Sequence, residues 1–294
     1  MELKVYDVRA LPGDSSFLLD DGETAILYDT GFAFTGYTVA DNIRRVLGDR
    51  ELDFIFLTHS HYDHALGTPY ICARYPDVRV VAGEYAMKIF EKPTARARMR
   101  EMDRKFADRC GVGEYEDRVD ELRVDVPVRD GDTVRAGAME FRVIDLPGHT
   151  KCSVGFYLAS ERLLLSSETL GVYDGGEIVC PSYLVGYEMT QASIKKVERL
   201  EIDRILLPHY GLLDRKKTAF YLVMCRKNAE ETAARILQIL KNGGTREDAV
   251  QYFRNTFYHG GIPRIYPEDA MLLNTGIMVG LIERELGGAI ERCN

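Results

Sequence analysis

The chain has 294 residues, enough for one large α/β domain or a domain with an appendage, and 46% apolar with 29% charged residues is an ordinary globular composition. A formal net charge of −8 works against nucleic acid as the main partner, because phosphodiester binding needs a basic face. No apolar run approaches the roughly 20 residues of a membrane span, no secretory leader precedes the first strand, and six cysteines without a CxxC pair read as reduced thiols of a cytoplasmic protein.

Leu3–Val8, Ser16–Leu19 and Thr24–Asp29 read as short strands separated by turn residues. Val39, Ile43, Val46 and Leu47 give 37–47 helical spacing. Strand 53–57 follows, then helix Ala65–Arg74, strand Val78–Val81 and helix Glu84–Phe90. Residues 94–110 carry Met99, Met102 and Phe106 at helical spacing among arginines, which reads as an inserted helix with a solvated face; an anion-binding rim is the alternative. Leu122–Val126, Met139–Asp145, Ser153–Leu158 and Arg162–Ser166 are strand-like, followed by helix Gln191–Leu200 and strand Arg204–Leu207. Beyond Asp214 the pattern is helical only: Ala219–Leu240, Arg246–Phe257 and Glu268–Leu286. Two segments echo each other. Ala25–Gly31 and Leu163–Gly171 both run from an apolar strand into an acid, then Thr, then Gly.

The chemistry concentrates at strand ends. His59, His61, Asp63 and His64 fall within six positions after strand 53–57, His149 lies in Leu-Pro-Gly-His-Thr, Glu168 follows 162–166, and His209 follows 204–207. Buried polar side chains in such numbers are costly unless something satisfies them, and loops at one end of a sheet are where α/β folds place their sites. Imidazoles and carboxylates are ligands of zinc, iron and manganese. Two sets can be drawn: His59, His61 and His149 for one ion, and Asp63, His64 and His209 for the other, with Glu168 or a hydroxide bridging.

These motifs resemble those of the metallo-β-lactamase-fold hydrolases: an early Asp (Asp29), HxHxDH (59–64), a His in a PGHT-like turn (His149), a bridging acid (Glu168) and a late His (His209), over roughly residues 1–212. The resemblance implies a four-layer αβ/βα sandwich as catalytic domain over 1–213; the helical insertion at about 92–112 and the helical appendage over 214–294 are read from the residue pattern. The resemblance also implies that Asp29 buttresses the histidines from behind. The bridging acid is usually Asp, so Glu168 leaves iron or manganese beside zinc. Flavodiiron-type relatives carry Glu where this chain has His61, which favours hydrolysis. The expected activity is metal-dependent hydrolysis of a small thioester or lactone by a hydroxide of the dinuclear site. Asp63 and Glu168 are then the catalytic carboxylates, and two divalent ions the cofactor. A phosphodiesterase of small substrates and a di-iron oxidoreductase are the alternatives. Tyr173, Tyr183, Tyr210 and His259 are candidate pocket residues, and Cys152 reads as a small packed residue rather than a reactive thiol. The expected partner is a small molecule, without nucleic acid or membrane; a homodimer is left open.

Overall fold

The protein is described here by a computed structural model covering residues 2–287. Met1 and 288–294, which include Cys293 and the end of the expected appendage, lie outside the described residues. The chain forms two units: the described residues up to Asp145 together with Cys152–Ser166, and Leu146–Lys151 together with the described residues from Ser167 onward. Asp214, where the helical appendage is expected to begin, lies inside the second unit.

In the first unit, β1 (Lys4–Asp7), β2 (Phe17–Asp20), β3 (Ala25–Tyr28), β4 (Phe54–Leu57), β5 (Arg79–Gly83) and β6 (Val126–Val128) form one sheet in chain order. The β1–β2–β3 pairs are antiparallel; β3 to β6 run parallel. Strands β2, β3 and β4 are buried along their whole length, as expected of strands covered on both faces. Side chains alternate across that sheet. Leu18, Leu27, Ile55, Leu57 and Val80 join Val39, Ile43 and Ile71 of the helices α1 (Gly36–Leu47) and α3 (Thr68–Arg74). On the opposite face Phe56 packs against Phe141 and Phe156, with ring centroids 5.2 and 4.5 Å apart. Those two belong to β8 (Met139–Asp145) and β9 (Val154–Leu158), which sit between β7 (Thr133–Ala136) and β10 (Leu163–Leu165) in an antiparallel set. Three helices complete the unit: α2 (Tyr62–Ala65), α4 (Glu84–Phe90) and α5 (Pro93–Arg109), the inserted helix.

One expected strand is shifted along the chain. Leu122–Asp125 is a connection, and the edge strand is Val126–Val128. The Asp125 carboxylate accepts from Val80 N at 2.9 Å while Asp125 N donates to Val80 O at 2.8 Å, so a side chain takes the place of a ladder partner.

The second unit holds β11 (Val172–Tyr173) paired with β12 (Val179–Cys180), and β13 (Arg204–Leu207) paired with β14 (Gly211–Leu213). Its helices are α6 (Tyr187–Val197), α7 (Arg215–Lys241), α8 (Arg246–Phe257), α9 (Ile262–Ile265) and α10 (Glu268–Leu286). Asp214 caps α7 by accepting from Lys217 N at 2.9 Å, and Thr245 with Asp248 forms a capping box on α8. Tyr221, Cys225 and Ile236 of α7, Phe253 and Phe257 of α8, and Met271, Met278 and Ile282 of α10 are buried in its core. Tyr221 Oη donates to Gly171 O at 2.8 Å and Asn228 Nδ2 to Val179 O at 2.8 Å, which ties the β11–β12 hairpin to α7. Among the described residues no helix is long and apolar enough to cross a membrane.

Candidate metal centre

Parallel pairing of β3 with β4 brings their carboxyl ends side by side, so Asp29 and Thr58 are neighbours. Asp29 stands in the left-handed region (φ 53°), a conformation that Asp tolerates better than most residues. Its Oδ1 accepts from Thr58 N at 2.8 Å. Its Oδ2 accepts from Thr58 Oγ1 at 3.0 Å, from Ser15 Oγ at 3.1 Å and from His64 Nδ1 at 2.7 Å.

These bonds settle two tautomers. A carboxylate only accepts, so His64 Nδ1 carries the hydrogen, and in the neutral imidazole Nε2 holds the lone pair. The single Thr58 hydroxyl proton goes to Asp29, so Thr58 Oγ1 accepts from His59 Nδ1 at 2.9 Å, and His59 too keeps its lone pair on Nε2. Both imidazoles are fully buried, with ring centroids 4.0 Å apart. Thr30 fixes the motif from behind: its N and Oγ1 both donate to His64 O, at 2.8 and 2.9 Å. Gly31 (φ 70°) must be glycine, since a Cβ there would lie 1.7 Å from Asp14 Oδ1. His61 caps α2, and its ring centroid is 4.7 Å from that of His59. Asp63 Oδ2 lies 3.7 Å from His64 Nε2. His61 and Asp63 are half-buried.

In the second unit, Gly148 (φ 147°) turns the chain before His149; a Cβ at this glycine would meet Thr190 Oγ1 at 2.1 Å. Thr169 Oγ1 donates to Leu146 O at 2.6 Å and accepts from His149 N at 3.3 Å, which fastens the two loops together. His149 Nδ1 faces Ser182 O at 3.0 Å and Ser182 Oγ at 2.8 Å. A carbonyl oxygen cannot donate, so Nδ1 carries the hydrogen. His149 Nε2 lies 2.7 Å from Glu168 Oε2, and His209 Nε2 lies 3.0 Å from Glu168 Oε1. His209 is held in the left-handed region (φ 61°) by the tight Pro208–Tyr210 connection between β13 and β14.

Burial works to raise the pKa of Glu168, but His149 and then His209 outweigh it and hold the carboxyl well below the ordinary carboxylate range. Two imidazole nitrogens pointed at one buried carboxylate repel it, lone pair against lone pair, unless a cation is shared between them. A proton or a divalent ion meets that need. With Nδ1 of His59, His64 and His149 all hydrogen-bonded, the remaining donors are the nitrogen and carboxylate atoms that divalent ions take. In the first unit the ligand atoms of His59 and His61 lie within 4.8 Å of one another, as do those of Asp63 and His64. The donor set therefore fits metal.

The other candidates fall in different places. Cys152 is buried and its Sγ donates to Ser60 Oγ at 3.2 Å, between the first two motif histidines in sequence. Tyr210 is half-buried, stacks edge-on with Tyr173 (centroids 4.7 Å) and lies 3.5 Å from Lys217 Nζ. Tyr173 is buried and donates to Gly176 O at 2.9 Å. Tyr183 is fully buried, and burial pushes its pKa up. His259 is exposed, its Nε2 3.0 Å from Thr256 O at the end of its own helix. Sequence reasoning missed Ser182 and Thr58 as partners of ligand imidazoles. Thr58 is signalled by its place before His59; Ser182, 33 residues from His149, carries no local signal.

Residues 11–209 match the family model of the metallo-beta-lactamase superfamily. A hydroxyacylglutathione hydrolase of Stenotrophomonas maltophilia (strain R551-3) is 32% identical over 52% of this chain, and the matched stretch spans 44% of that relative's length. Another, of Synechococcus sp. (strain JA-3-3Ab), is 27% identical over 74% of this chain and 71% of the relative. The crystal structure of a metallo-beta-lactamase family protein from Thermus thermophilus aligns over 97% of this chain and 94% of its own, with a TM-score of 0.62 and 20% identity. That likeness is one of fold alone.

Proposed function

The chain belongs to the metallo-beta-lactamase superfamily, and from that premise we propose that it is a metal-dependent hydrolase of small thioesters. In this reading His59, His61 and His149 would hold one divalent ion and Asp63, His64 and His209 a second, with Glu168 as the further carboxylate available to them. Zinc is the first choice, with iron or manganese as alternatives because Glu168 stands where Asp is usual. The observation that carries the reading is the fixed tautomer of three buried imidazoles. His59, His64 and His149 each direct Nδ1 to Thr58, Asp29 or Ser182, which turns Nε2 toward the cluster of candidate ligand atoms. The thioester class is supported by the relatives named hydroxyacylglutathione hydrolase.

Two such ions supply a water of pKa about 7 and polarise a carbonyl. The chain's own residues do the rest. Asp29, Thr58 and Ser182 hold the imidazoles in place, so no reorientation is needed when charge develops. Asp63, half-buried beside His64, then takes the proton of the attacking water. Water adds to the acyl carbon, the C–S bond breaks, and that proton passes to the departing sulfur. A thiol of pKa about 8.5 leaves readily, so no strong general acid is required.

The test is metal analysis of protein purified without oxygen, followed by a panel of thioesters, lactones and phosphodiesters. Two equivalents of metal and turnover that favours thioesters are expected. Two irons with consumption of oxygen or nitric oxide, and no ester hydrolysis, would overturn the proposal.

A further inference from the structure

The inner face of α10 is used up: Met271, Thr275, Met278, Val279 and Ile282 are buried in the second unit. Its outer face is not. Asp269, Leu273, Gly276, Ile277 and Arg284 are exposed and Gly280 is half-exposed, all along one stripe of the helix. Leu273 is 56% and Ile277 42% exposed, among the most exposed large apolar side chains described. The two glycines have no explanation within one subunit. A Cβ at Gly276 would meet nothing within 4 Å, and one at Gly280 only the flexible tip of Arg284 at 3.7 Å. Gly31 and Gly148 are glycine because their surroundings leave no room; Gly276 and Gly280 have room to spare, and glycine weakens a helix relative to alanine.

The stripe is self-complementary about one point. Measured from the midpoint between Gly276 and Ile277, Leu273 and Gly280 are equidistant, and so are Asp269 and Arg284. Each pair couples a large residue with a glycine, or an acid with a base. Arg284 forms no ion pair among the described residues, whereas its neighbours Arg246 and Arg254 are paired with Glu283 and Glu268. Glycines alone would say nothing about a partner. The exposed Leu273 and Ile277 and the charge pattern make the partner specific.

We propose that the chain forms an isologous homodimer in which α10 packs antiparallel against the α10 of a second copy, the twofold axis passing between Gly276 and Ile277. Leu273 then seats over the partner's Gly280, Ile277 over the partner's Gly276, and Asp269 meets the partner's Arg284 at both ends of a contact about 22 Å long at 1.5 Å per residue. A parallel pair would set Asp269 on Asp269 and Arg284 on Arg284, so the charges choose the antiparallel arrangement. This inference is independent of the proposed reaction.

Sedimentation velocity of the full chain between about 1 and 100 μM reads the association, micromolar in strength for so small an interface. A concentration-dependent dimer is expected. Asp269→Arg or Arg284→Asp alone places like charges across the seam and weakens association by on the order of tenfold; the double variant Asp269→Arg/Arg284→Asp restores it. Gly276→Leu raises the melting temperature of the subunit, because its Cβ has room, yet weakens the dimer. Circular dichroism and hydrolysis rates checked on each variant separate loss of association from loss of fold. A wild-type chain monomeric throughout, a dimer indifferent to the single reversals, or a double variant as weak as the singles would each overturn the proposal.

Discussion

The candidate ligands of the two units are held on different principles. In the first unit the candidate ligands are close in sequence, and their orientation is set by residues outside that set: Asp29 and Thr58 hold His64 and His59 through Nδ1. In the second unit His149, Glu168 and His209 come from three loops, and two imidazoles meet through one carboxylate. The first half is organised before any ion arrives. The second contains a contact that wants a cation, so its geometry depends on what is bound. Variants in the two halves should therefore fail differently.

The largest effect belongs to His61. Half-buried at the cap of α2, it is a proposed ligand rather than a support. His61→Ala should lose at least one metal equivalent by elemental analysis and on the order of a thousandfold or more in turnover, while circular dichroism stays unchanged. Full metal retention would remove His61 from the ligand set. Next is Glu168. Glu168→Ala should weaken the second ion and leave His149 and His209 without their common partner, so thermal stability without metal should fall too. Glu168→Asp should keep two ions. If Glu168→Ala binds both ions normally, the contrast between the halves collapses.

The supports rank below the ligands. Asp29→Ala removes the acceptor of three side-chain donors and one backbone amide, and partners of this kind cost about 10- to 100-fold in metal affinity when lost. Ser182→Ala removes one acceptor from His149 and leaves the Ser182 carbonyl in place, so its loss should be about tenfold or less. Competitive chelator titration of the two variants measures the difference; equal losses would mean that the first half is no better organised than the second.

What was legible in the sequence followed from locality. The candidate ligands could be named because they follow strands whose apolar runs are visible, and Met139–Asp145, Arg246–Phe257 and Glu268–Leu286 coincide with β8, α8 and α10 because long periodic patterns survive tertiary context. What was hidden depended on distant partners. The Leu122–Asp125 segment reads as a strand until the Asp125 side chain takes over the bond to Val80. β7 is four residues long and exists by pairing with β8. Ser182 is a plain loop serine until the fold brings it to His149. Tyr183 has the composition of a pocket wall but is spent in the core, and His259 on its own helix end.

The smallest predicted effect concerns a buried carboxyl that no imidazole shares. Asp103 of α5 is fully buried; it accepts from Ala33 N at 2.8 Å and from the Tyr115 hydroxyl, and ties the inserted helix to the loop that follows Gly31. Where Glu168 is held below the ordinary range by its histidines, burial raises Asp103 to about 6, with the Tyr115 and backbone donors opposing too weakly to prevent it. The unfolded carboxyl titrates at 3.8, so the folded state binds the proton more tightly. Its contribution to stability is then full below the unfolded value and declines as pH rises through about 6. Melting temperature measured from pH 4 to 8 should carry a downward component between those values in the wild type. Asp103→Asn, which keeps an acceptor for Ala33 N but has no charge to desolvate, should lack that component. A variant with the same slope as the wild type would show that Asp103 is ionised in the folded state at pH 5, and that a phenol and backbone amides stabilise a buried carboxylate as well as two histidines do.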